Sequence, residues 1–356
     1  LSQPHHSIIA PDIMKAVLVS SFGQPDDVMT VGESEKPSPS NKELMIQVKA
    51  CSLSPGDYRT LLGDKTLVCN PKMPYIPGGD ISGLVVSVPD SLKKDFSVGD
   101  KVVATWEICG YGGLSEYTLV NPKCTVKLPE ELSFEEGAAL ANTASHALNV
   151  LTRAKIIKGD RVLVLGGSGG IGTLLVQMLK NQGASYVAVT STDEKLMTEL
   201  GVDRTVNYQK EHWAEIKDWQ ENKFDCVIDL AVGISAWRDC PSVLKGCKEG
   251  GRFVSVVFND WHIDGRHLHK ILGLLLFPLG RQLFNMFRFS TPYYRMYLEE
   301  PSQRTMETML SKAASGEIKT VMDPKSPHPF TTEGVREAWN HHIARKGHGK
   351  IVIKIQ

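Results

Sequence analysis

The chain has 356 residues, 42% of them hydrophobic and 22% charged, with 31 glycines and 19 prolines, enough material for two buried cores and many tight turns. Its 40 basic and 40 acidic side chains cancel, so no global field is available to hold nucleic acid or an anionic membrane, and a small-molecule partner is favoured. The 7 cysteines (51, 69, 109, 124, 226, 240 and 247) form no CxxC pair and no spacing short enough for a structural zinc. Most read as small buried hydrophobes in a reducing compartment.

The N-terminal LSQPHHSIIAPDI lacks a basic start followed by a continuous apolar run, which argues against a secretory signal. Strand-forming runs follow at Met14–Ser20, Leu44–Ala50 and Ile81–Val88, rich in β-branched residues and bounded by Pro, Gly and Asn. They predict an antiparallel, β-rich unit. From about Glu135, helical runs alternate with the short apolar strands Arg161–Leu165, Tyr186–Thr190, Cys226–Leu230 and Arg252–Val257. That alternation predicts a doubly wound parallel sheet. The tail predicts helices near Ser302–Ser315 and Thr332–Ala344 and a final strand at Lys350–Ile355.

The most specific signal is RVLVLGGSGGIG at Arg161–Gly172, a strand running into Gly167-x-Gly169-x-x-Gly172 and then a helical stretch. With the strand YVAVT following at the distance a βαβ unit needs, the triplet reads as a dinucleotide-binding turn formed by Gly167, Ser168, Gly169, Gly170, Ile171 and Gly172. A side chain at Gly169 would block the pyrophosphate, whose charge meets the amides of the following helix. The second strand ends Thr190-Ser191-Thr192, with Asp193 and Glu194 only later. Without an immediate carboxylate for the ribose hydroxyls, the position has room for a 2′-phosphate, so NADPH is the expected cofactor. Lys195 and Tyr208 are candidates to contact that phosphate, with Lys195 as a merely solvated helix residue the alternative.

The order of motifs from about Met14 onward resembles the medium-chain dehydrogenase/reductase superfamily. The resemblance rests on Lys49–Asp57 (KACSLSPGD), Pro77–Gly83 (PGGDISG), Phe96–Val102 (FSVGDKV), Gly112–Tyr117 (GGLSEY), Leu132–Leu148, Phe224–Asp229 (FDCVID) and Gly250–Val254 (GGRFV). It implies an α/β protein with a GroES-like β-rich catalytic domain over residues 1–136, a Rossmann NADPH-binding domain over 137–304, and completion of the catalytic domain by 305–356. The active site would lie in the cleft between them, with Thr143 on the crossing helix a further cofactor contact. In zinc-dependent relatives a Cys of the loop and a His of the proline-glycine turn hold the metal; here Ser54 and Gly79 stand at those places, and the lobe with four close cysteines is absent. Zinc-dependent alcohol oxidation is therefore disfavoured, and the resemblance narrows to quinone oxidoreductases and enone reductases.

Within such a reductase the protein positions the acceptor, excludes water and stabilises the developing oxygen anion. Tyr58 is the candidate hydrogen-bond donor, with a structural tyrosine the alternative; Asp57 reads as ordering the loop, and Ser54 as a loop residue or site residue. The segment Lys270–Tyr297, with ILGLLLFPL and a cluster of aromatics, reads as a subunit contact or core, an apolar wall for a lipophilic acceptor, or a surface resting on a membrane; Pro278 and Arg281 cut it short of a span. The sequence leaves open a homodimer or a monomer. It also leaves open a zinc-free alcohol dehydrogenase or a non-enzymatic NADPH-binding interaction protein as alternatives to an NADPH-dependent quinone or enone reductase.

Overall fold

The computed structural model describes residues 12–66, 69–106, 112–257, 293–296 and 302–356, with Leu276 and Gly280 besides. Strands β1 (Ile13–Val19) and β2 (Met29–Glu35) form an antiparallel ribbon around the single turn α1 (Pro25–Val28). β3 (Leu44–Ser52) leads into α2 (Pro55–Leu61), where Pro55 opens the helix, its missing N–H costing nothing at that position. Then come β4 (Asp80–Ser87), β5 (Lys101–Thr105), β6 (Tyr117–Val120) and β7 (Thr125–Lys127).

α3 (Phe134–Ala154) begins with a reciprocal cap, in which Ser133 N–H donates to Glu136 (2.9 Å) and Glu136 N–H donates to the Ser133 hydroxyl (3.2 Å). It crosses the boundary proposed at 136 and 137. Ala138 and Ala139 pack on Ala50 and Val352 of the first unit, while Ala144, Ala147 and Leu151 pack into the core of the second. Small residues at the start of the helix let it lie close to the first sheet.

The second unit alternates β8 (Arg161–Leu165), α4 (Gly170–Asn181), β9 (Tyr186–Thr190), α5 (Glu194–Glu199), β10 (Arg204–Val206), α6 (Lys217–Glu221), β11 (Cys226–Asp229), α7 (Ile234–Asp239), β12 (Arg252–Ser255) and β13 (Tyr293–Met296). Among the described residues its 6 strands run parallel in the order β10-β9-β8-β11-β12-β13. The order reverses between β8 and β11, so ligands are expected beyond the carboxyl ends of these strands. One face is covered by α3, α4 and α8 (Gln303–Ala314) through Leu140, Leu151, Leu175, Leu179, Met309 and Leu310; the other carries Trp219, Phe224, Trp237 and Phe253. Both faces are therefore buried, which is why these strands read as continuous apolar runs.

The tail, with β14 (His328–Pro329), α9 (Thr332–Ile343) and β15 (Val352–Lys354), returns to the first unit. β15 pairs antiparallel with β3, completing a 7-stranded sheet of the described residues in the order β14-β15-β3-β4-β5-β7, with β6 on β3. Trp339 of α9 is fully buried among Ile46, Leu61, Ile81 and Ile353. An anchor of this size contributes about 3–5 kcal/mol against truncation to Ala, and it fixes the loop that follows α9. Cys51, Cys124, Cys226 and Cys240 are free and buried, as expected of most of the cysteines, but Cys69 is disulfide-bonded, against the expected reducing compartment. Of Lys270–Tyr297 nearly all lies outside the described residues. Among the described residues no helix is long and apolar enough to cross a membrane.

Candidate active site

The turn between β8 and α4 separates glycines the fold needs from one it does not. Gly166 adopts φ +95°, and a Cβ there would meet Ala231 Cβ at 2.9 Å; at Gly172 it would lie 2.4 Å from Gly166 O. Those positions are closed by the protein's own atoms. Gly169 has an extended backbone (φ −76°, ψ 171°), and the nearest atom to an added Cβ is 3.9 Å away. Its missing side chain leaves open space at the start of α4, the space a phosphate group needs. Ser168 O accepts from Gly349 N–H (2.7 Å), so the turn is also braced from the C-terminal tail.

At the end of β9 the structure changes the expected roles. Thr190 is buried and its hydroxyl accepts from Gly166 N–H (2.9 Å). Ser191 is 1% exposed and its hydroxyl accepts from Asp193 N–H (2.9 Å), so it shapes the turn. Lys195 is exposed as the second residue of α5, and Tyr208 is 57% exposed; both are open to a ligand. Asp193 is engaged twice, through Oδ1 with Leu196 N–H (3.0 Å) and through Oδ2 with His348 Nδ1 (3.0 Å). Sequence reasoning missed His348.

It also missed Lys350. Thr143 and the Lys350 stem both flank Gly170: a Cβ on that glycine would meet Lys350 Cδ at 2.8 Å and Thr143 Cγ2 at 3.3 Å. From there the buried Lys350 ammonium donates to Leu53 O (2.8 Å) and Ser54 Oγ (3.0 Å) and lies 3.5 Å from Asp80 Oδ2. Ser54 Oγ donates to that carboxylate (2.5 Å), and Thr105 Oγ1 donates to its other oxygen (2.9 Å). One side chain thus connects the phosphate turn to the loop before α2. Burial pushes the nearby His146 and His342 down to about 4, helped at His342 by the Lys350 charge, so both imidazoles are neutral.

A cavity of about 80 Å³ opens beside this network, lined by Ser54, Asp57, Thr60, Lys65, Asp80, Thr105, Trp106 and Asn142 with Gly56 and Gly79. Asn142 Oδ1 is buried there without a hydrogen-bond partner among the described residues, an acceptor that a ligand's donor would satisfy. Burial, and then repulsion from Asp80, push the Asp57 carboxyl from its ordinary 3.8 up to about 7, although Ser54 N–H donates to it at 2.7 Å. Burial lowers the Lys65 ammonium, and Asp57 partly offsets this. Tyr58 is not among the cavity-lining residues. Its ring meets His342 edge-on at 5.3 Å and the Arg59 guanidinium at 5.5 Å, and it packs on the first core, the place of a structural tyrosine.

The raised carboxyl has a consequence for stability. A group that holds its proton more tightly folded than unfolded stabilises the fold fully below its unfolded value, and that contribution is lost as pH rises through about 7. Asp57→Asn keeps an acceptor for Ser54 N–H and removes the buried charge. Its stability is expected to exceed the parent's by a margin that widens from pH 5 to pH 8.5, with a ceiling of a few kcal/mol at the upper end, read as a melting-temperature difference that grows with pH. A margin that stays constant with pH would show that Asp57 is not a buried, proton-retaining acid.

Two family models match the chain: the alcohol dehydrogenase GroES-like domain over residues 40–130 and the zinc-binding dehydrogenase over residues 170–286. A 2-methylene-furan-3-one reductase of Solanum lycopersicum is 31% identical over 98% of this chain and 80% of its own length. An NADPH-dependent alkenal/one oxidoreductase of Arabidopsis thaliana chloroplasts is 30% identical over 96% of this chain and 80% of its own length. Among solved structures, the quinone oxidoreductase of Escherichia coli in complex with NADPH superposes with a TM-score of 0.76 at 20% identity, over 96% of this chain and 99% of that one, a likeness of fold. The GroES-like β-rich unit, the Rossmann unit with its open phosphate turn and relatives matched over nearly the whole of this chain agree: the chain belongs to the medium-chain dehydrogenase/reductase superfamily, in its quinone and enone oxidoreductase branch.

Proposed function

We propose that the protein is an NADPH-dependent reductase of α,β-unsaturated carbonyls or quinones that works without zinc. The observation that carries this reading is Lys350, whose stem flanks the phosphate turn at Gly170 while its ammonium borders the cavity loop at Ser54. Cofactor and acceptor would meet across that short distance. Backbone amides at Gly169, Gly170 and Ile171 would hold the pyrophosphate, Thr143 would flank it, and Lys195 and Tyr208 would take the 2′-phosphate. When bound, the cofactor supplies the hydride.

The chain's own residues do the rest. As an acceptor is reduced, negative charge grows on its oxygen. The Lys65 ammonium is the cavity group able to stabilise it, while the Asn142 carbonyl would accept from a donor on the substrate or cofactor, and one such charge-stabilising donor is worth about 10²–10³ in kcat. Asp57, poised at about 7, carries a proton that can be delivered and replaced at neutral pH. The lining is polar, so this cavity suits the oxygen end of a lipophilic substrate; the apolar wall expected from Lys270–Tyr297 lies outside the described residues. Ser54 acts through its place in the Asp80–Lys350 network and not as a reacting group.

Zinc does not fit these residues. Gly79 has no ligand atom, the Ser54 hydroxyl already donates to Asp80, and the Lys350 ammonium 3.0 Å from that hydroxyl would repel a divalent cation. The test is NADPH oxidation by metal-stripped protein, in chelator, across alkenals, alkenones and quinones of increasing chain length. Turnover of at least one class, reduced at least tenfold by Lys65→Met, is expected. Activity lost with a stoichiometric zinc would refute the metal-free reading, and NADPH binding without turnover on any acceptor would favour a non-enzymatic interaction protein.

A further inference from the structure

His348 lies between Gly347 and Gly349 in the loop that joins α9 to β15, and its backbone is fixed from two sides. Gly349, at φ +86° and with no room for a side chain against Val321 O (2.6 Å to an added Cβ), donates its N–H to Ser168 of the phosphate turn (2.7 Å). Asp323 Oδ2 accepts from His348 N–H (2.9 Å) and lies 3.1 Å from His341 Nε2. The loop therefore presents the His348 ring to the end of β9, more than 150 residues away in sequence, where Nε2 is 3.1 Å from Thr192 Oγ1 and Nδ1 is 3.0 Å from Asp193 Oδ2. Nδ1 is thus at ion-pair distance from the carboxylate, and the Thr192 hydroxyl can serve Nε2 as donor or acceptor.

Asp193 is the first carboxylate after β9. An acid at the end of this strand accepts from the ribose hydroxyls of a nucleotide and repels a phosphate on the 2′ oxygen, and Asp193, three residues beyond Thr190, is the nearest carboxylate in sequence that could take that part. Here one oxygen caps α5 and the other lies 3.0 Å from His348 Nδ1, so the imidazole stands against the carboxylate edge that a ribose would use. Resting on the NADPH reading above, we propose that His348 is a positioning residue for cofactor choice: it masks Asp193 and so makes the nucleotide site accept a 2′-phosphate. The other titratable and charged groups nearby are Glu194, Lys195 and Glu199 on α5, and Asp323, His341, His342, Arg345, Lys346 and the Asp80-paired Lys350 on the tail. Asp323 is turned to backbone N–H groups and His341, while Lys195 and Lys346 are exposed and of a sign that favours a phosphate.

The experiment measures dissociation constants by calorimetry for NADPH, NADH and 2′,5′-ADP with the full chain and with His348→Ala, Asp193→Asn and the double variant. His348→Ala is expected to weaken NADPH and 2′,5′-ADP at least tenfold while NADH is unchanged or tightened. Asp193→Asn alone should bind NADPH at least as well as the parent, and in the double variant it should restore most of the lost NADPH affinity. Equal losses for all three ligands, or no rescue by Asp193→Asn, would mean that His348 only holds the loop and would overturn the proposal. A parent protein that binds neither nucleotide would overturn the cofactor reading and the proposal together, whereas tight NADPH binding insensitive to His348→Ala would overturn the proposal alone.

Discussion

Gly169→Val is expected to abolish measurable NADPH binding, a loss of more than a hundredfold, in a protein that still folds. The first half follows from the space beside Gly169, which no protein atom within 3.9 Å of a Cβ occupies and which the pyrophosphate would fill. The second half follows from its extended backbone, which a β-branched residue adopts readily. Gly172→Val is the contrasting control, because its Cβ would collide with the carbonyls of Gly166 and Gly167 at 2.4 and 2.5 Å, and that variant should be lost to misfolding. A fluorescence titration beside a thermal melt reads both. NADPH affinity within a few-fold of the parent in Gly169→Val would remove the turn from the cofactor site.

Lys350→Met should have the largest effect on stability. The ammonium and the Asp80 carboxylate are 8% and 2% exposed, and removing the cation leaves a buried carboxylate with two hydroxyl donors and no counter-ion, and Leu53 O without its donor. Breaking such a pair costs about 3–5 kcal/mol, seen as a melting temperature lower by several degrees. Because the cost lies in the orphaned charge, Asp80→Asn added to Lys350→Met should recover a large part of it. Additive destabilisation in the double variant would show that the pair is not coupled.

Much of this architecture is legible in the chain. β8 and β9 fall at the predicted residues because Arg161–Leu165 and Tyr186–Thr190 are buried on both faces and bounded by turn residues, so composition alone delimits them. β2 is not legible: MTVGESE lies in a two-stranded ribbon with mixed exposure, which leaves neither a clean alternation nor an apolar run. The phosphate turn is readable because every residue that makes it is local. The other half of the site is not, since His348 and Lys350 belong to KGHGK, which reads as the polar lead-in to a last strand. Their partners Thr192, Asp193, Ser54 and Asp80 are supplied only by the return of the tail. A flanking pair of glycines in a short connection was the one available signal. Tyr58 shows the converse: a polar aromatic in the substrate loop invites a catalytic reading, but the capping geometry of α2 turns Asp57 toward the cavity and leaves the tyrosine against His342.

The measurement closest to the central claim follows the hydrogen itself. Metal-stripped protein is mixed with an alkenone and NADPH carrying deuterium at both hydrogens of the nicotinamide C4, and the product is examined by mass spectrometry and NMR. Hydride transfer in this site requires one deuterium on the β-carbon of the saturated ketone, with the α-hydrogen drawn from solvent. Oxidation of the cofactor with no deuterium on carbon, or incorporation only when zinc is restored, would contradict it.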